Sequence, residues 1–133
     1  MMRYTLLLLS AFLLVACVAH AERDSKAPRV VGTSPVNGSI DVDPSLTEIS
    51  VTFDEEMVDG SWSWAYEDEE RFPRITGQAY YVDNNTKNVL PVKLEPDREY
   101  VIWLNTEKFQ GFKDLSGNPA VPFKFTFKTA GAP

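Results

Sequence analysis

Carboxylates and indoles are the side chains through which this chain could do chemistry. It carries 19 Asp and Glu against 13 Lys and Arg, three Trp, one His and one Cys. The acids cluster at Asp54-Glu55-Glu56 with Asp59, at Glu67-Asp68-Glu69-Glu70, and at Asp114. Two carboxylates across a cleft would suit glycoside hydrolysis. Nothing in the spacing sets two of them across one, so Glu67 to Glu70, followed by Arg71, reads as a solvated loop. Hard oxygen ligands would suit calcium. Asp114, Asn118, backbone carbonyls and a carboxylate from Asp54, Glu55 or Asp59 form that candidate set. The repeated D-x-D-x-D-G ligand loop is absent. The leading reading therefore has no metal and no cofactor, with calcium at Asp114, Asn118 and Asp54 as the alternative.

The stretch Asp114-Leu115-Ser116-Gly117-Asn118-Pro119 explains itself as a corner. An Asp carboxylate accepts hydrogen bonds from backbone N–H groups two or more residues on. Gly117 takes positive φ without a steric cost, and Pro119 holds Asn118 extended. The aromatics offer a surface instead of a reaction. Trp62, Trp64 and Tyr66 alternate on one face of a strand, whereas Trp103 opposes Tyr100, Ile102 and Leu104 in parity. Two arrangements follow. Either Trp62 and Trp64 fill the core, or they join Trp103 in an exposed platform suited to sugar stacking or a protein partner. The ligand-binding candidates are accordingly Trp103, Trp64, Trp62 and Tyr66.

The first residues bound the rest. Arg3, an apolar run and Ala19-His20-Ala21 have the order of a secretory signal peptide over residues 1–21. The competing reading is a lipoprotein signal over 1–16. Leu14-Val15-Ala16-Cys17 resembles a bacterial lipobox, which would lipidate Cys17. Cleavage after Ala21 removes Cys17 and His20, the sole Cys and His, and with them disulfides, Cys/His nucleophiles and the usual zinc sites. The net charge of −6 disfavours nucleic acid. A membrane contact is expected only through a lipid on Cys17.

Residues 22–27 read as a flexible leader, 28–129 as one β-sandwich and 130–133 as a tail. Period-two alternation marks Thr47 to Phe53, Ser61 to Tyr66, Asn88 to Leu94, Tyr100 to Leu104 and Phe123 to Lys128. Ile40 to Val42 reads as a brief edge segment, and Pro91 suggests that its strand is also an edge. With Pro28 to Val31 and Gln78 to Val82 this makes about seven short strands separated by turn residues, an all-β class.

The order of motifs resembles bacterial Ig-like domains of the kind named after the S-layer protein SbsA. TSPVNGSIDVDPSLTEISVTFDEEM is similar to their opening turn, strand and F-S-x-P-M motif, LEPDREYVIWL to their L-x-P-x-x-x-Y element, and DLSGNP with FKFTFKT to their closing corner and strand. Glu56 stands where that family often has Pro, and EDEE lies in an insertion region. The resemblance implies an immunoglobulin-like antiparallel Greek-key sandwich on or near the bacterial surface, without catalysis. Tyr100 has the position of a tyrosine corner. The expected role is an exported non-catalytic module, whether periplasmic, cell-surface or secreted, that binds or spaces an envelope or surface protein. The alternative is a carbohydrate-binding module for a polysaccharide.

Overall fold

The computed structural model describes residues 24–132; the signal-peptide and Cys17 readings lie outside them. Eight short strands make two antiparallel sheets. They are β1 (Val30–Ser34), β2 (Glu48–Phe53), β3 (Trp64–Ala65), β4 (Arg74–Ile75), β5 (Tyr80–Val82), β6 (Lys87–Lys93), β7 (Glu99–Leu104) and β8 (Phe123–Lys128). The larger sheet runs β1-β2-β6-β4, with β5 also on β6; the smaller runs β3-β7-β8.

The apolar rows read from the sequence are the buried rows, although Ser50 and Val101 on the opposite parity are buried as well. Ile49, Val51 and Phe53 of β2 are all buried, as are Tyr100, Ile102 and Leu104 of β7. Phe125 and Phe127 of β8 complete the facing layer, with Phe127 packed 5.3 Å from both Tyr100 and Phe125. Side chains on alternate positions of a strand share one face, so two such strands per sheet suffice to close a sandwich core. Met57 and Phe112, from loops, fill its end, where Phe112 stacks at 5.0 Å on Phe53.

The 38–42 segment lies along the edge of β8, where Gly38 and Val42 N–H donate to the Thr126 and Lys128 carbonyls and Val42 bridges to Thr129, as a brief edge segment should. One expectation changes: β6, the strand with Pro91, is central, with β2 on one side and β4 and β5 on the other. Proline is tolerated there because the second partner changes beside it. Pairing with β5 ends at Val89 and pairing with β4 starts at Val92, so no donor is required of residue 91 on that side. Its carbonyl still accepts from Thr76 N–H at 3.1 Å.

The β5–β6 connection shows why polar residues occupy it. Asp83, Asn84 and Asn85 all have φ between 54° and 60°, a left-handed region that Asn and Asp enter more readily than other side chains. The acidic run forms a single 3-10 turn, Glu69–Arg71, whose first N–H groups are capped by Asp68 through a 3.0 Å bond from Glu70 N–H.

Phe125 has no exposed surface. Phe125→Ala is expected to cost about 3–5 kcal/mol, read as a fall in the urea midpoint. Lys124→Ala, on the opposite face of the same strand, is expected to stay within about 1 kcal/mol of the parent.

Candidate functional site

The segment before and through β3 is positioned by polar ties to the other sheet. The Trp64 indole N–H donates to Asn88 Oδ1 at 2.8 Å, and its ring stands edge-on to Phe112 at 5.8 Å. Tyr81 on β5 donates its hydroxyl to the Ser61 carbonyl at 3.1 Å. Gly111 packs against the Trp62 carbonyl so closely that any Cβ there would collide with it. The Ser61 hydroxyl donates to the Gly111 carbonyl alongside. Glycine is therefore required at 111 for approach, not for dihedral freedom.

This anchoring leaves a groove of about 690 Å³ between β3 and β4. Trp62, Trp64, Tyr66 and Phe109 supply its aromatic walls, with Ile75, Gln78 and Lys108 beside them. Trp62 and Trp64 are half-buried, packed on the core from its margin. Tyr66 and Phe109 are 55% and 54% exposed, so the groove is open to ligands. The structure thus brings three of the four aromatic candidates together. It puts the fourth elsewhere: Trp103 pairs with Ala65 and with Lys124 across the ladder, on the outer face of the smaller sheet. Its indole N–H donates to Glu67 Oε1 at 2.6 Å, and Lys124 Nζ lies 3.5 Å from that oxygen. The bond from Trp103, reinforced by the Lys124 charge, holds the Glu67 carboxyl below its ordinary range.

The corner is built on Asp114, which is buried. Its Oδ1 accepts from Ser116 N–H at 2.9 Å and Asn118 N–H at 2.8 Å, and Oδ2 accepts from the Asn118 amide at 3.0 Å. Gly117 has φ +83° and Pro119 bridges back to Lys113. A residue that the pattern alone does not reveal pins this corner to β7. Asn105, fully buried just past the strand, donates to the carbonyls of Phe112 and Ala120 and accepts from Phe112 N–H, each within 3.1 Å. Its only local signal is an Asn directly after the strand, at φ 63°. Tyr100 caps the other end of the same strand, accepting from Glu95 N–H at 2.8 Å.

The acids around the corner overlap the candidate calcium set at Asp114 and Glu55 and add Asp24 to it. Asp24, Glu55 and Asp114 have carboxylate oxygens within 4.8 Å of one another. Asp54 is not among them; its Oδ1 accepts from Arg29 N–H at 2.9 Å. Asn118 turns its amide nitrogen, a donor, to Asp114 and to the Asp24 carbonyl. Asp114 Oδ1 accepts two N–H bonds and Oδ2 one, while Glu55 Oε1 is buried without a partner among the described residues. The hydrogen bond to Asp114 raises Glu55 to about 7, helped by burial and by the charges of Asp114, Asp24 and Asp54. Burial works to raise Asp114 as well, but bonds from Glu55, Asn118 and Ser116 outweigh it and hold Asp114 below its usual range.

The sequence matches the family described as bacterial Ig-like domain over residues 24–129. The chain belongs to that family. The sandwich resembles the crystal structure of the S-layer protein rSbsC, with TM-score 0.49 and 16% identity over 81% of this chain. It also resembles the structure of surface layer protein SbsC, domains 1-6, with TM-score 0.43 and 14% identity over 80%. This Ig-like chain spans 14% of each of those two chains. No curated protein matches it.

Glu55 generates a test by pH. Because its folded value lies above the 4.5 of an ordinary Glu, the folded state holds the extra proton and stability falls as pH rises from 4.5 to about 7. Above that window the cost is constant. Glu55→Gln, which keeps the hydrogen bond without the charge, is expected to be more stable than the parent at alkaline pH. The gain should be about 1 kcal/mol, since water still reaches part of the side chain. The gain should vanish at acid pH, as followed by urea melts on both sides of the window.

Proposed function

We propose that this protein is an exported, non-catalytic Ig-like module that binds or spaces a protein partner at the bacterial cell envelope. The observation that carries the reading is the family match, which covers the whole sandwich. The signal-like order of residues 1–21 supports export. The candidate acid–base side chains are held in structural bonds or lie apart on the surface. Glu67 holds Trp103 and Lys124, Asp114 holds its own corner, and the acids of the 3-10 turn lie exposed on the surface. Among the described residues no carboxylate lines the aromatic groove, which leaves that groove suited to contact and not to acid–base work.

A second reading, carbohydrate binding, is favoured by the groove itself. It unites Trp62, Trp64 and Tyr66 with Phe109, whereas Trp103 stands outside it. Sugar rings present C–H faces that settle on the negative face of an aromatic ring.

Two measurements test the proposal. The chain recovered from the source bacterium is expected to begin at Glu22; a first residue of acylated Cys17 would instead make it a lipoprotein tethered to a membrane. Immobilised protein exposed to solubilised envelope is expected to enrich one protein. Enriched polysaccharide would favour the second reading, and an empty eluate would leave a spacer.

A further inference from the structure

The groove between β3 and β4 differs from the rest of the molecule in charge. The chain carries −6 overall, yet among the described residues Lys108 is the only charged side chain lining the groove. Lys108 has no carboxylate partner among the described residues; the cations of the surface ion pairs are Arg71, Lys124 and Lys128. Its Nζ stands 5.4 Å from the centroid of the Phe109 ring, at the groove wall. Other polar groups there are also unspent. The Trp64 N–H is committed to Asn88. The Trp62 N–H, Tyr66 hydroxyl and Gln78 amide have no bond within the described residues, where the aromatic donors in use are those of Trp64, Trp103, Tyr80 and Tyr81.

Resting on the carbohydrate reading above, we propose that this groove binds a short oligosaccharide or chain end of the uronic-acid class, its sugar rings against Trp62, Trp64 and Phe109 and its carboxylate at Lys108; the net charge of −6 opposes a long polyanion beyond the groove. The volume, about 690 Å³, falls among sites that enclose small ligands, about 300–1,000 Å³. Aromatic faces take the C–H surface of a sugar, and unspent donors and acceptors beside them take its hydroxyls. A peptide fits less well. An added strand needs a run of open backbone groups, but β3 is two residues long, and Gly111 already stands against the Trp62 carbonyl. A carboxylate suits the site better than a phosphate monoester: its single negative charge matches the one Lys, whereas a phosphate monoester carries about −1.5 to −2 at neutral pH.

The test is a titration of the purified protein with a purified oligo-uronate and with its carboxyl-reduced, neutral counterpart, followed by Trp emission and calorimetry. The uronate is expected to bind up to about fivefold more tightly than the neutral chain, and to lose that advantage at high salt, where exposed charge pairs are screened. Lys108→Gln should bring the uronate down to the neutral level with an unchanged melting temperature. Tyr66→Ala, at an exposed ring, should weaken both ligands. Trp103→Ala, on the other face, should leave both unchanged. Equal binding of the two chains, or an uronate preference that survives Lys108→Gln, would overturn the anionic assignment while carbohydrate binding stood. Binding of neither would overturn both. Displacement of bound uronate by an envelope protein at the same residues would assign the groove to that protein instead.

Discussion

Ile49, Val51 and Phe53 on one sheet and Tyr100, Ile102, Leu104, Phe125 and Phe127 on the other belong to one buried cluster, and every other feature hangs from it. The chain has a single cysteine and no opportunity for an internal disulfide, so removal of these apolar rows from water is the main force holding the layers together. That constraint makes the strand register strict. Sliding β2 or β8 by one residue would turn its apolar row outward and bring Glu48, Ser50 and Thr52, or Lys124, Thr126 and Lys128, inward.

Polar bonds then decide how the edges of the sandwich close. β3 contributes only two residues to its ladder, too few to locate the aromatic segment by sheet pairing alone. The bonds Trp64 to Asn88 and Tyr81 to Ser61 cross from one sheet to the other and fasten that segment. Buried polar groups are costly when unpaired, so each such bond also selects against alternative placements. The Asn88 amide nitrogen has no partner of its own, a local cost accepted where the groove margin meets the core. Asn105 does the equivalent for the corner, using three bonds to join the 112–120 loop to the end of β7.

The outcome is a molecule with two aromatic surfaces of different character. On the outer face, Trp103 is engaged by Glu67 and Lys124 and is half-buried. In the groove, exposed Tyr66 and Phe109 flank half-buried indoles, with one cation and no anion among the described residues. Satisfied polar groups have little to offer a ligand, whereas unsatisfied ones beside an aromatic wall do. The contrast is set by partners, not by residue type.

Local order was readable directly. Period-two burial in β2, β7 and β8, the turn residues between them and the motif order of the Ig-like family all rest on neighbours within a few positions. The bonds of Asp114 to Ser116 and Asn118 reach only two and four residues along the chain. What involves distant segments needed the tertiary structure. Parity could show that Trp103 opposes Tyr100, but only the register of Ala65 with Trp103 and Trp64 with Leu104 separates the two aromatic surfaces. Pro91 looked like an edge because its missing donor is a local fact, while the change of partner from β5 to β4 is not. Asp24 and Asp114 lie far apart in sequence, and their meeting with Glu55, in place of Asp54, depends on how the chain folds back. Side-chain periodicity is written in the sequence because it repeats every two residues; which faces meet is decided by packing, which no local pattern records.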